Sequence, residues 1–489
     1  MNKIQFSIAA VALSALTTSA YALKTEKRDM KNNMSMVYKQ KAKSVDNIQD
    51  MFSEGTLFGR LRSNMFMWDW ENDNPGRTKD NESWGVGGSL LYSTANLLGF
   101  GATVGLYTTH TIGTDNTDVL YGAVDFGKAG KDTYSRADGS GASIDSLAIA
   151  YLEYQAGKTD IKAGRQIFES TLLRSNDTKM IPNTFEGITI VNKDLPKTTL
   201  RAAYFTRQKL RDHSDFHSVI AVNGYSENDD SAKHGGLSTA NISTTSADNN
   251  PRMLVLTAQN KSIDNLKLNF DYMNVNDFVS SMIVEANYKI KLNDGWSVTP
   301  GARYMNQMDE GAGAIGGAAL SGRAVNGGYS DPNNVDGSLT AVRVKVAKGA
   351  GNLTLGYSKI SDDADIIAPW RGFPTGGYTR SMAQYNWEAD TVSWMLKAYY
   401  DFGKAKMVPG LRVALDYAEM DYDERKLLAG SSSKTDRNII HLDMFKTFES
   451  IRNLELKFRA AIISADSSPA ATKDFNSYNE ARFEVNYFF

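Results

Sequence analysis

The absence of cysteine among 489 residues excludes a disulfide scaffold, a thiolate metal site and any Cys nucleophile, and there are only five histidines. His213 and His217 are four apart, the spacing of two zinc ligands on one helix face, but their segment is polar and irregular and supplies no third ligand. Gly311-Ala312-Gly313-Ala314-Ile315-Gly316 spells the glycine pattern of a phosphate cradle, yet it follows Met308-Asp309-Glu310 inside a Gly/Ala-rich loop with no βαβ unit around it. Asp362, Asp363 and Asp365, or Asp229 and Asp230, offer oxygen ligands for Ca²⁺, with solvated loop acids as the plainer reading. No G-x-S-x-G elbow occurs, so a Ser/His pair on a rim is the remaining catalytic arrangement, with His441 the clearest inward-facing histidine. The expectation is a chain with no catalytic residue, no resident metal and no cofactor.

What remains is fixed charge, arranged by strand parity. On the less apolar face of successive alternating segments stand Arg60, Arg62, Lys162, Arg201, Arg207, Lys267, Lys289, Lys291, Arg303, Arg343, Lys345, Lys397, Arg412, Lys457, Arg459 and Arg482. The acidic residues on the same faces are Glu153, Asp271, Glu285, Asp401, Asp416, Asp443, Glu455 and Glu484. If those faces line a water-filled tube, the basic excess concentrates anions and carboxylates inside it. The alternative is that the basic side chains pair with their acidic neighbours and only solvate the interior.

The elements that would position these charges are strands. The last nine residues put Phe483, Val485, Tyr487 and Phe489 on one face and Arg482, Glu484 and Asn486 on the other, the period of two that suits a closing barrel strand. The same alternation recurs at 282–292, 391–402, 411–417 and 453–462, in runs of the length a tilted membrane strand needs. Candidate strands begin near 56, 83, 99, 144, 159, 185, 197, 252, 264, 280, 296, 338, 351, 390, 410, 437, 453 and 478. Those near 185 and 252 carry the weakest pattern. Tight connections such as Gly157-Lys158 and Asn293-Asp294-Gly295 alternate with long polar ones at 110–143, 209–251, 307–337 and 361–389. Short turns on one side and long loops on the other are the pattern of an outer-membrane barrel.

The N-terminus fits that destination. Met1-Asn2-Lys3, an apolar run to about Leu16 and Ala20-Tyr21-Ala22 predict a signal peptide over 1–22. Residues 23–55 carry Lys24, Lys27, Arg28, Lys31, Lys39, Lys41 and Lys43 without clean alternation and read as a periplasmic extension, or as a basic arm for a partner. A β-barrel over 56–489 follows. No later run is long and apolar enough for a membrane helix. Lys+Arg 54 against Asp+Glu 56 gives no basic footprint for nucleic acid.

Residues 172–187, Leu172-Leu173-Arg174-Ser175-Asn176-Asp177-Thr178-Lys179-Met180-Ile181-Pro182-Asn183-Thr184-Phe185-Glu186-Gly187, resemble the third-loop motif of the OprD family of outer-membrane porins. Residues 388–417, including Val408-Pro409-Gly410-Leu411, are similar too, as are Asn453-Leu454 with Lys457 and Arg459, and Asn479-Glu480 with Arg482. The resemblance implies an all-β, 18-stranded transmembrane antiparallel barrel in the Gram-negative outer membrane. Its third loop would fold inward, helped by the seventh. It also implies passive passage of small solutes bearing a carboxylate, such as amino acids, small peptides or organic acids, past a ladder of basic residues. On that reading Arg174 and Lys179 of the third loop and Arg412, Lys457, Arg459 and Arg482 of the wall attract a carboxylate, while Asp177 and Asp416 meet a cationic end. Lys179 stands where the family has Arg, and Asp416 where a basic rung is expected. Expected partners are outer-membrane lipid, lipopolysaccharide and small solutes. The resemblance favours a monomer, although general porins are often trimers. A weakly selective general porin, or a structural or adhesive barrel, is the competing reading.

Overall fold

The computed structural model describes residues 43–72, 80–114, 134–135, 141–211, 213–221, 234–322, 328–382, 384–426, 435–466 and 476–489. The expected leader 1–22, most of 23–55, and Asp229 and Asp230 lie outside them. Eighteen strands form the body. The first six are β1 Thr56–Trp70, β2 Asn81–Ser93, β3 Phe100–Thr114, β4 Ile144–Ala156, β5 Thr159–Gln166 and β6 Thr184–Asn192. Then come β7 Thr198–Lys209, β8 Met253–Asn260, β9 Leu266–Val275, β10 Val279–Tyr288, β11 Trp296–Asp309 and β12 Gly337–Lys348. The last six are β13 Gly351–Ile360, β14 Val392–Asp401, β15 Leu411–Asp421, β16 Arg437–Thr447, β17 Leu454–Ala465 and β18 Tyr478–Phe488. Each pairs antiparallel with the next, and β1 pairs with β18 from Arg60↔Phe488 to Trp70↔Tyr478, which closes the barrel. Closure matters because backbone groups facing hydrocarbon have no water to bond, and an open edge would leave a whole row of them unsatisfied.

The two faces follow the predicted alternation. Val344, Leu355, Leu396, Tyr417, Ile440 and Ile462 are exposed and sit side by side across β12–β17, forming part of the lipid-facing belt. Phe100 and Tyr154, Tyr288, Trp296 and Tyr400 ring the short-turn end, the aromatic girdle such barrels use at the interface. The strands with the weakest sequence pattern are β6 and β8, and both join the sheet. One parity expectation fails. A register shift between Glu186 and Gly187 against β7 turns Gln208 inward, where it is buried, and leaves Arg207 exposed on the opposite face. A bulge reverses the facing of every residue beyond it, so Arg207 is not an inward rung.

Before β1, the short strand Ser44–Val45 pairs parallel with Asn96–Leu97, and helix α1 (Ile48–Ser53), capped by Asn47, hangs beneath the β2–β3 turn. The Ala95 amide donates to the Met51 carbonyl at 2.9 Å, tying this segment to the short-turn rim.

The barrel is not an empty tube. The third loop (167–183), the fourth (210–252), the sixth (310–336) and the seventh (361–391) share one apolar core with the wall. It includes Phe168, Leu173, Val219, Leu237, Phe278, Ile367, Trp370 and Trp387. Trp370, with no exposed surface, donates its indole N–H to the Val219 carbonyl at 2.7 Å, so the seventh loop packs on the fourth inside the barrel.

The assignment of faces predicts opposite outcomes for neighbours on β13. Leu355→Arg, on the lipid face, should cost about 2–4 kcal/mol of barrel stability, whereas Thr354→Arg on the inner face should cost far less. Denaturant unfolding in lipid vesicles measures both, and equal costs would contradict the assignment.

Candidate functional site

The third loop begins where β5 ends and is folded by its own side chains. Glu169 accepts from the Ser175 amide at 3.0 Å and pairs with Arg174 at 2.9 Å. Asn176 accepts from the Thr178 amide at 2.9 Å, and Met180 takes a left-handed φ of 84° to complete the tip. That tip is pressed against the seam between β1 and β18. Asp177 lies 2.8 Å from Arg60 and 3.5 Å from Arg62, and Arg62 also pairs with Glu484 on β18 at 2.7 Å. Arg60 donates to the Met180 carbonyl at 3.2 Å and Asn64 to the Thr178 carbonyl at 2.6 Å. Asp177 and Lys179 therefore have no exposed surface. Arg174 keeps a face to the lumen, with its side chain 29% exposed.

The seventh loop crosses the third. The Arg174 amide donates to the Trp370 carbonyl at 2.9 Å and the Gly372 amide to the Leu172 carbonyl at 2.8 Å, forming a short antiparallel bridge between two loops inside the barrel. A Cβ on Gly372 would lie 2.1 Å from the Leu172 backbone, so only glycine permits this crossing. Further along, Arg303 donates to the Pro374 carbonyl at 2.5 Å and Arg343 to the Gly377 carbonyl at 2.7 Å. Both guanidiniums lie over the Tyr378 ring. Gly356 on β13 leaves room for the Tyr378 carbonyl, which a Cβ would meet at 2.2 Å. Ser381 donates to Asp416 on β15 at 2.6 Å.

The wall charges from β14 to β1 form one belt. Lys397 meets Asp416 at 2.9 Å, His441 bridges Asp416 at 3.0 Å and Asp443 at 2.9 Å, and Arg459 donates to Asp443 at 2.6 Å. Arg482 pairs with Glu480, and Lys457 lies 3.8 Å from both Glu455 and Glu484. Nearly all of these groups are buried under the loops. Arg412 stands apart, half-buried, with its guanidinium 3.8 Å over the Phe445 ring. Of the predicted site residues, the structure brings Arg62, Asp177, Glu484 and Lys457 into one cluster and Asp416, His441, Asp443 and Arg459 into another. Arg174 and Arg412 belong to neither.

Below the crossing of the two loops, toward the short-turn end, lies a cavity of about 500 Å³. Thr171, Arg174, Phe373, Gly376 and Gly377 form its roof, and Arg303, Arg343, Lys345, Lys397 and Tyr399 line its wall. Glu285 pairs with Arg303 and lies 3.9 Å from Arg343. Sequence reasoning placed these cations on the inner face but could not place them together. The signal that does so is register: Thr299, Lys345, Thr354, Lys397 and Asp416 are successive cross-strand partners.

The other apparent motifs have structural occupations. His213 and His217 face each other with ring nitrogens 2.8 Å apart. Residues Ala312–Gly316 make a single buried helical turn. Asp365 is buried and accepts from the Leu320 and Ala389 amides and the Tyr329 hydroxyl. Asp362, Asp390 and Asp423 do converge, but Lys426 pairs with Asp362 and Asp423, and Arg425 holds the Asp423 carboxyl down at about 2.

Two substitutions test the anchoring. Asp177→Ala removes the carboxylate that Arg60 and Arg62 share and should cost about 3–5 kcal/mol, read by denaturant unfolding, with faster proteolysis within 167–183. Gly372→Ala should leave the barrel folded, as judged by heat-modifiable electrophoretic mobility, while raising single-channel conductance and its noise because the two loops can no longer close on each other.

Comparison with known proteins agrees with this architecture. The family described as outer membrane porin, OprD family, matches residues 52–489. No curated protein matches the chain. Solved structures from Pseudomonas aeruginosa superpose over most of it. OpdK with vanillate has TM-score 0.67 at 15% identity and covers 90% of this chain and 99% of its own. OccK9 (OpdG) has TM-score 0.69 at 16% identity with the same coverages, 90% and 99%. OccK8 (OprE) has TM-score 0.67 at 18% identity, again covering 90% and 99%. Closed barrel, inward third loop and family match together place the chain in the OprD family of outer-membrane porins, with outer-membrane lipid and small solutes as its surroundings and cargo.

Proposed function

We propose that this porin gives passive, selective passage to small solutes carrying a carboxylate: amino acids, small peptides or organic acids. The observation that carries the reading is the cavity beneath the loop crossing, lined by Arg174, Arg303, Arg343, Lys345 and Lys397, where Glu169, Glu285 and Asp416 balance part of the basic charge and Lys345 has no ion pair among the described residues. Fixed cations in a narrow, low-dielectric passage raise the local concentration of anions, and a series of shallow sites lets a solute leave as readily as it enters. The solved relative carrying vanillate, an aromatic carboxylate, is in keeping with that cargo class.

The site residues divide into two roles on this reading. Arg174, with its partly exposed guanidinium, and Arg412, above Phe445, guide the carboxylate. Asp177, Lys179, Asp416, Lys457, Arg459 and Arg482 act through the constriction, as positioning residues that fix the third and seventh loops against the wall. The burial of all but Lys457, and the short ion pairs of Asp177, Asp416, Arg459 and Arg482, support this division. The barrel works as a monomer, and residues 1–22 are removed on export, leaving 23–55 on the periplasmic side.

Single-channel recording of the purified protein in a planar bilayer tests the reading, with benzoate and benzamide added in turn. The carboxylate should interrupt the current while the amide does not, and Arg174→Gln should weaken the interruption several-fold. A large current indifferent to both solutes would replace the selective pore with a general one.

A further inference from the structure

The row of cross-strand partners in the cavity wall is uneven in its charge balance. Lys397 is neutralised by Asp416, and Arg303 and Arg343 share Glu285 and hold seventh-loop carbonyls. Lys345 is different. Its ammonium has no hydrogen bond or ion pair among the described residues, and its charged neighbours are Arg343 and Lys289, both cationic. Lys289, at the short-turn end of β10, is likewise exposed and without a side-chain partner among the described residues. Asn287 pairs with Gly301, so Lys289 falls two positions further down the face, level with Thr299 on β11, and Thr299 pairs with Lys345 on β12. The two lysines are thus two strands apart at one height, about 10 Å between backbones at the usual strand spacing. Thr299 and Thr354 flank Lys345 with hydroxyls that line the same cavity.

We propose that Lys289 and Lys345 form a two-point site for a small dicarboxylate on the periplasmic side of the loop crossing. The proposal rests on the porin reading above and narrows its cargo from carboxylates to dianions. Two adjacent unneutralised ammonium groups repel each other, and a monocarboxylate satisfies only one of them. A solute with two separated carboxylates satisfies both, and the flexible lysine stems adjust to its length. The separation of the two backbones favours two anionic groups on a short chain over one compact dianion such as phosphate. The Thr299 hydroxyl between them, and that of Thr354 on the far side of Lys345, supply donors to the carboxylate oxygens.

Planar-bilayer recording of the full-length protein at pH 8 tests this, with succinate, succinamate or inorganic phosphate added on the periplasmic side. Succinate should occupy the channel at about tenfold lower concentration than succinamate. Lys345→Gln and Lys289→Gln should each abolish that preference by weakening succinate to the level of succinamate, and Lys345→Arg should retain it. Equal potency of succinate and succinamate, or a preference that survives Lys345→Gln, would overturn the proposal. Phosphate as potent as succinate would overturn the two-point spacing. In each of these failures benzoate still interrupts the current and benzamide does not, whereas failure of the selective-porin reading itself would appear as a large current indifferent to both.

Discussion

Asp177 has no exposed surface, yet it sits inside what sequence parity describes as a water-filled tube. Its carboxylate lies between Arg60 and Arg62 on the first strand, and Arg62 is tied in turn to Glu484 on the last. Burying such a group is tolerable only because its charge is matched on the spot, and removing one partner leaves the other stranded. The interaction therefore does two things at once. It fixes the tip of the third loop, and it fixes it to the very seam where the barrel closes. The rest of the constriction is continuous with that position. The third loop offers Leu172 and Arg174 to the seventh, and the seventh is then held by Arg303, Arg343 and Asp416 around the wall.

Charge on the inner wall falls into two arrangements that sequence alone runs together. From β14 round to β1 the basic and acidic groups alternate closely enough to neutralise each other, and loops cover them. From β10 to β13 the wall is open beneath the loops and its cations outnumber its acids. A ladder read from parity counts both sets as equal. Burial and pairing separate the two sets in the structure; on the proposed reading the paired, covered groups stiffen the passage and the water-facing ones attract what passes through it.

Much of the fold was legible in the sequence for a simple reason. A strand with lipid on one side and water on the other must alternate, so Leu411 to Tyr417 and Leu454 to Ile462 declare their faces residue by residue. Even β6 and β8, where alternation is short, were bounded by turn residues. Arg207 was misread because a bulge is a local backbone event that leaves no trace in composition. The third-loop motif pointed to residues 172–187 but not to which of them meet solute. Arg174 and Asp177 are three residues apart, one half-open to the lumen and the other sealed, and that difference comes from Arg60 and Arg62 more than a hundred residues away. Lys345 carried no motif at all. Its importance appears only when register sets it beside Arg343, Lys289 and no carboxylate.

The central claim is that unneutralised cations on the β10–β13 wall govern what crosses this barrel. The most direct measurement is the reversal potential of the purified channel in a KCl gradient across a planar bilayer, compared between the native chain and the double variant Lys289→Gln/Lys345→Gln. Anion preference in the native channel that collapses toward neutrality in the variant is the predicted result. Cation preference in the native channel, or an anion preference untouched by the two substitutions, would contradict the account.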